Sequence, residues 1–162
     1  MQKKVQSAQQ AVSLDDTDRK LLRQLQKDAT WSAERLAKQA GISKTATWNR
    51  IQKLQDSGVI RKHMVVVDPV AVGITETFFI AIKTNQHKES WLKNFNRTIQ
   101  LWPEITEAHR LAGDIDYLLK VQVGSTKEFD RLYKKLVAEV ELYSVSSSLS
   151  MEVLKQDLSV PV

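Results

Sequence analysis

Apolar positions along this chain keep helical spacing first and strand spacing later. Leu14, Leu21, Leu22 and Leu25 form one stripe, and Asp15, Asp16 and Asp18 crowd its start, where negative charge favours a helix N-terminus. The next stretch, WSAERLAKQAGISKTATWNRIQKLQDSGVI from Trp31 to Ile60, predicts two helices around a short turn. Ser32 can cap the first helix, with Trp31 set to staple onto Leu36. Gly41 can end that helix in the left-handed conformation, Ile42 returns to the core, and Ser43 caps the second helix. There Thr47, Ile51 and Leu54 recur at i, i+4 and i+7 and make the core face. Two helices joined in this way form a helix-turn-helix, which the helix beginning at Leu14 supports.

After Ser57-Gly58 the period changes. VIRKHMVVVD reads as an extended, β-branched segment, and Pro69 to Gly73 as a hinge. TETFFIAIKT is a buried strand; Trp91, Leu92, Phe95, Ile99 and Trp102 mark a helix that Pro103 ends. The strands EITEAHRLA and IDYLLKVQV follow, with Gly113-Asp114 suited to a tight hairpin turn between them. Phe129, Leu132, Tyr133, Leu136, Val137 and Val140 keep helical spacing. In the closing YSVSSSLSMEVL, Val145, Ser147 and Leu149 face one side and Ser144, Ser146, Ser148 and Ser150 the other.

The fold class is therefore α+β: an N-terminal helix-turn-helix and a C-terminal ferredoxin-like βαββαβ domain. Expected limits are a disordered Gln- and Lys-rich tail over 1–13, the helix-turn-helix over 14–63, a β hinge over 64–73, the ferredoxin-like domain over 74–155 and a C-terminal tail over 156–162. A four-stranded sheet with helices on one face leaves the other bare. A second copy of the chain is expected to cover it, with Leu158, Val160 and Val162 buried in the same contact.

Charge sharpens this division. Residues 1–63 carry 13 Lys and Arg against 6 Asp and Glu, or +7, whereas 64–162 carry 11 against 13, or −2. A basic first half favours a polyanion, and double-stranded DNA is the expected partner. At about 100° per residue, Thr45, Asn49, Gln52 and Lys53 point away from the core of the second helix. Lys44 and Ala46 sit in its first turn, where a recognition helix meets bases. Arg50 lies at the border, within reach of a phosphate or guanine.

Other chemistries find less support. Zero cysteines exclude a disulfide framework, a thiolate metal site and a thiol nucleophile. Glu107, His109, Asp114 and Asp116 invite a catalytic reading of a ferredoxin-like enzyme, but no paired histidines or glycine-rich phosphate loop accompany them. No cofactor is expected. No apolar run approaches the roughly 20 residues of a membrane span, and MQKKVQSAQQAVS lacks the apolar core of a signal peptide, so the expected site is the cytoplasm, with the nucleoid. A nonspecific architectural DNA-binding protein would share the basic half, and an effector response would separate the two.

Three blocks, LDDTDRKLLRQLQKD, LAKQAGISKTATWNRIQKLQDSGVI and LAGDIDYLLKVQV, together resemble the Lrp/AsnC, or feast/famine, family of transcription regulators over about Leu14 to Leu158. The resemblance implies that the helix-turn-helix is winged, that the chain forms a homodimer able to grow to octamers or other higher oligomers, and that the regulatory domain binds an amino-acid effector. Trp48 and Asn49 depart from the smaller or acidic residues of many members, so operator preference does not transfer. The second half is most similar to members that respond to sulfur-containing or branched amino acids. An amino acid needs an anion site beside a cation site, and the turn Leu111, Ala112, Gly113, Asp114, Ile115, Asp116 can offer backbone N–H groups and carboxylates. By the same resemblance Leu136, Ser147, Ser148 and Leu149 are candidates from a neighbouring subunit.

Overall fold

The computed structural model describes residues 12–86 and 88–162, so residues 1–11 of the expected tail lie outside the described residues. It divides into two compact units. One holds the chain up to Val65 together with Gln156–Val162, and the other is Val66–Lys155.

Three helices build the first unit: α1 (Asp16–Lys27), α2 (Ala33–Ala40) and α3 (Lys44–Asp56). Asp15 caps α1 by accepting the Asp18 N–H at 2.8 Å, and the Asp18 carboxylate accepts the Asp15 N–H in return. Ser32 and Ser43 cap α2 and α3. Between them Gly41 takes φ +71°, and the Ile42 N–H reaches back to the Ala37 carbonyl at 3.1 Å, which closes the turn. Trp31, the expected staple, carries the Arg35 guanidinium 3.6 Å above its ring. Leu21, Leu22, Leu36, Ala37 and Leu54 are buried here; Thr47 joins them because its hydroxyl donates to the Ser43 carbonyl at 3.0 Å.

On the single chain the side chains of Leu158 and Val160 are exposed, which leaves them free for a partner, and what is held within the chain is backbone: Gln26 both donates to and accepts from Val160, at 3.1 and 2.6 Å, and Arg23 donates to the Val162 carbonyl at 2.7 Å. Among the described residues the extended segment after α3 has no strand partner, and Met64 to Val67 are exposed, Val65 to 84%.

In the second unit Val70–Val72 form a 3₁₀ turn, followed by β1 (Glu76–Lys83), α4 (Glu89–Leu101), β2 (Ile105–Arg110), β3 (Tyr117–Val123), α5 (Thr126–Glu139) and β4 (Ser144–Leu149). The sheet order is β2-β3-β1-β4 with every pair antiparallel, the split arrangement the strand order predicts. Phe78, Ile80 and Ile82 of β1 and the odd-numbered residues of β3 pack with Trp91, Phe95, Phe129 and Leu136 from the helices. The opposite face, carrying Phe79, Lys83, Lys120, Ser146 and Ser148, has no helix on it.

The β2–β3 connection is not a two-residue hairpin. Pairing ends at Arg110 opposite Tyr117, and the Leu111 N–H donates to the Asp116 carbonyl at 2.8 Å, leaving Ala112 to Ile115 as the loop. Asp116 is held by β1 and the turn after it: its N–H donates to the Ile82 carbonyl at 2.9 Å, and its carboxylate accepts the Thr84 N–H at 2.8 Å. These bonds fix where the strand begins, and turn propensity at Gly113-Asp114 does not.

Candidate DNA-binding surface and effector site

The start of α3 follows from Gly41 and Ser43, and its orientation from an ion-pair clasp. Arg50 Nη1 donates to Asp15 Oδ2 at 2.6 Å and to Asp18 Oδ1 at 2.8 Å, joining α3 to the N-terminus of α1. The carboxylates raise the Arg50 pKa; the Asp15 carboxyl is held below its ordinary range, first by the Asp18 N–H and then by Arg50. Expected at a phosphate or guanine, Arg50 is instead occupied inside the three-helix unit. Lys44 is paired with Glu34 of α2, both side chains being well exposed, so solvent competes for that pair.

Thr45, Asn49, Gln52 and Lys53 are exposed, and Ala46 is half-buried. Gln52 donates to Asp56 at 3.0 Å. Trp48, absent from the expected contact set, is 61% exposed on the same side. Its signal was in the spacing, since about 100° per residue puts it within about 60° of Thr45 and 40° of Gln52.

The loop residues Leu111, Ala112, Gly113 and Asp114 are exposed and Ile115 half-buried. Asp114 projects from the loop, while Asp116 is anchored on Thr84 as described. Leu136 leaves the candidate set: it has no exposed surface and fills the core from α5. Ser147 and Ser148 are both exposed but alternate across β4, opposite Ile80 and Phe79, so one ligand cannot meet both side chains on one face. Leu149 is exposed opposite Phe78.

The other titratable groups are dispersed. Glu107 pairs with Lys120 at 2.8 Å and with His109 at 3.5 Å on the open sheet face, and Lys120 is the main cause of its lowered pKa. Among the described residues no group of three His, Asp or Glu side chains is placed to hold a metal. The larger cavity of the second unit, about 630 Å³, lies at the opposite end of β3, beside Gln122, with Lys135 over the Trp102 ring. A smaller one of about 250 Å³ lies where Arg110, Asp116 and Tyr117 meet the start of α4. No helix of the described residues is long and apolar enough to cross a membrane.

Residues 14–55 match the AsnC-type helix-turn-helix domain, and 77–160, half of the chain, match the Lrp/AsnC ligand binding domain. The chain belongs to the Lrp/AsnC family. Within this family it is 46% identical over 149 residues to the glutamate uptake regulatory protein of Zymomonas mobilis, covering 92% of this chain and 91% of that protein. It is 39% identical over 150 residues to the DNA-binding transcriptional activator DecR of Escherichia coli K12, covering 92% and 99%. A crystal structure of an AsnC family regulator from Agrobacterium tumefaciens superimposes with a TM-score of 0.88 at 42% identity, covering 91% and 97%. A Neisseria meningitidis regulator solved with L-Met has the same fold, with a TM-score of 0.87 at 24% identity, covering 92% and 97%. Like these Lrp/AsnC members, the chain is a sequence-specific DNA-binding transcriptional regulator.

Proposed function

We propose that α3 enters the major groove of duplex DNA. Thr45, Ala46, Trp48 and Asn49 face base edges, and Lys53 meets a phosphate. Lys44 exchanges Glu34 for phosphate, and Arg50 keeps α3 at a fixed angle on α1. The observation that carries this reading is the outward face of α3, which is exposed, rich in amide and basic groups, and part of a half-chain with charge +7.

An amino acid is the effector, bound at the Leu111–Asp116 end of the second unit; the family's ligand-binding domain, which spans that loop, supports the assignment. The chain acts as a homodimer able to grow to an octamer or another higher oligomer. The exposed side chains Met64 to Val67, and separately Phe79 on the open sheet face, support it, because large apolar groups left bare on a lone chain are costly in water. A dimer then reads two half-sites a whole number of turns apart, roughly 10 base pairs each.

Binding to operator DNA across a salt series tests the DNA assignment. Lys53→Ala is expected to weaken binding and lower the salt slope by about 1 for each subunit contact. Trp48→Ala is expected to weaken specific binding with the slope kept, since an apolar contact releases no counterions. Unchanged binding in both variants would sink the assignment, and equal affinity for unrelated DNA would point to an architectural role.

A further inference from the structure

We propose that the cavity between the β2–β3 loop and the start of α4 takes an acidic amino acid, one with two carboxylates and one ammonium group. This rests on the amino-acid effector reading above and narrows it. The cavity measures about 250 Å³, below the roughly 300–1,000 Å³ of sites for drug-sized ligands, so it suits a metabolite of a few heavy atoms. Among the described residues its charged lining consists of Arg110, Lys88 and Asp116. Among the described residues neither Arg110 nor Lys88 makes an ion pair, although both share one hollow with the Asp116 carboxylate. Opposite charges held apart around an empty space are what a zwitterion bridges.

The charges also say which zwitterion. Two cations and one carboxylate leave a surplus of +1, which a neutral amino acid does not balance and an acidic one does. Arg110 offers a planar fork and Lys88 a point charge, so each can take one carboxylate. Asp116 is well placed for the ammonium, since its bond from the Thr84 N–H fixes one oxygen and the turn of its side chain. Lys88 is the N-cap residue of α4, and its ammonium, a donor only, cannot cap the first-turn N–H groups of that helix, whose N-terminus favours a carboxylate. Trp91, Leu92 and Tyr117 provide an apolar wall for the methylene chain.

The test is calorimetry on the full chain with L-glutamate and L-aspartate, against L-glutamine, L-methionine, L-leucine and glutarate, with Arg110→Gln and Lys88→Gln checked for folding by circular dichroism. We expect L-glutamate or L-aspartate to bind roughly tenfold or more tightly than every other compound, and each substitution to cost a similar factor. Neutral amino acids binding as well as acidic ones would overturn this proposal while leaving an amino-acid effector in place, as would acidic amino acids bound equally well by both variants. Glutarate binding as tightly as glutamate would overturn it by removing the role of Asp116. No binding of any amino acid would overturn both readings. Lys88 is an exposed side chain, so its variant keeps the test decisive if Arg110→Gln fails to fold.

Discussion

Arg50 lies on α3 but turns its guanidinium to the start of α1. Its guanidinium spans Asp15 and Asp18, and the second of these is nearly buried, so removing Arg50 leaves a desolvated carboxylate without its cation. Arg50→Ala should therefore lower the melting temperature at pH 7. Asp15 has its carboxyl depressed in the fold, so its stabilisation is present above the unfolded pKa of about 3.9 and is lost as pH falls through the folded value. The difference in melting temperature between parent and variant should accordingly shrink well below about pH 4, where the Asp15 carboxylate is protonated. A difference that stayed constant to well below about pH 4 would assign Arg50 some other role. In DNA binding, Arg50→Ala should weaken affinity without the fall in salt slope expected of Lys53→Ala.

At the scale of elements, the turn before α3 depends on Gly41. Its φ of +71° is the left-handed region, and a Cβ built there meets nothing within 4 Å, so the cost of a side chain is backbone strain alone. Gly41→Ala should destabilise the protein by about 1–2 kcal/mol in denaturant unfolding, and Gly41→Asn by less. Equal stability of all three proteins would show the turn relaxing to another conformation. The helices and strands were legible because their apolar periods of 3.6 and 2 are set within each element. The β2–β3 loop was not: Gly113-Asp114 has hairpin chemistry, but Asp116 is captured by Ile82 and Thr84, residues more than thirty positions away. Leu136 failed as a candidate for a related reason. Helical spacing marks it as apolar without saying that α5 would place it fully inside.

For the whole molecule, assembly is the open question that surface chemistry addresses. Phe79 lies on the uncovered sheet face at 39% exposure, between neighbouring strands that carry Lys120 and Ser148 opposite it. Phe79→Asp should shift sedimentation toward the 18.5 kDa monomer and weaken operator binding, because two helix-turn-helix units would no longer engage together. A dimer that survived this change at micromolar concentration would place the interface elsewhere.

The sequence by itself determined the element order, the two kinds of periodicity, the capped turn before α3 and the charge division, because each depends on residues close together in the chain. The resemblance to the Lrp/AsnC family was also legible there, in the blocks LDDTDRKLLRQLQKD, LAKQAGISKTATWNRIQKLQDSGVI and LAGDIDYLLKVQV. Only the tertiary structure decided that Arg50 serves α1, that the tail's backbone is gripped by Gln26 and Arg23, and that Arg110, Lys88 and Asp116 line one cavity. Each of these joins groups distant in sequence or depends on which surface the fold leaves bare. Hydrogen-bond partners at that range follow from packing, which no local pattern encodes.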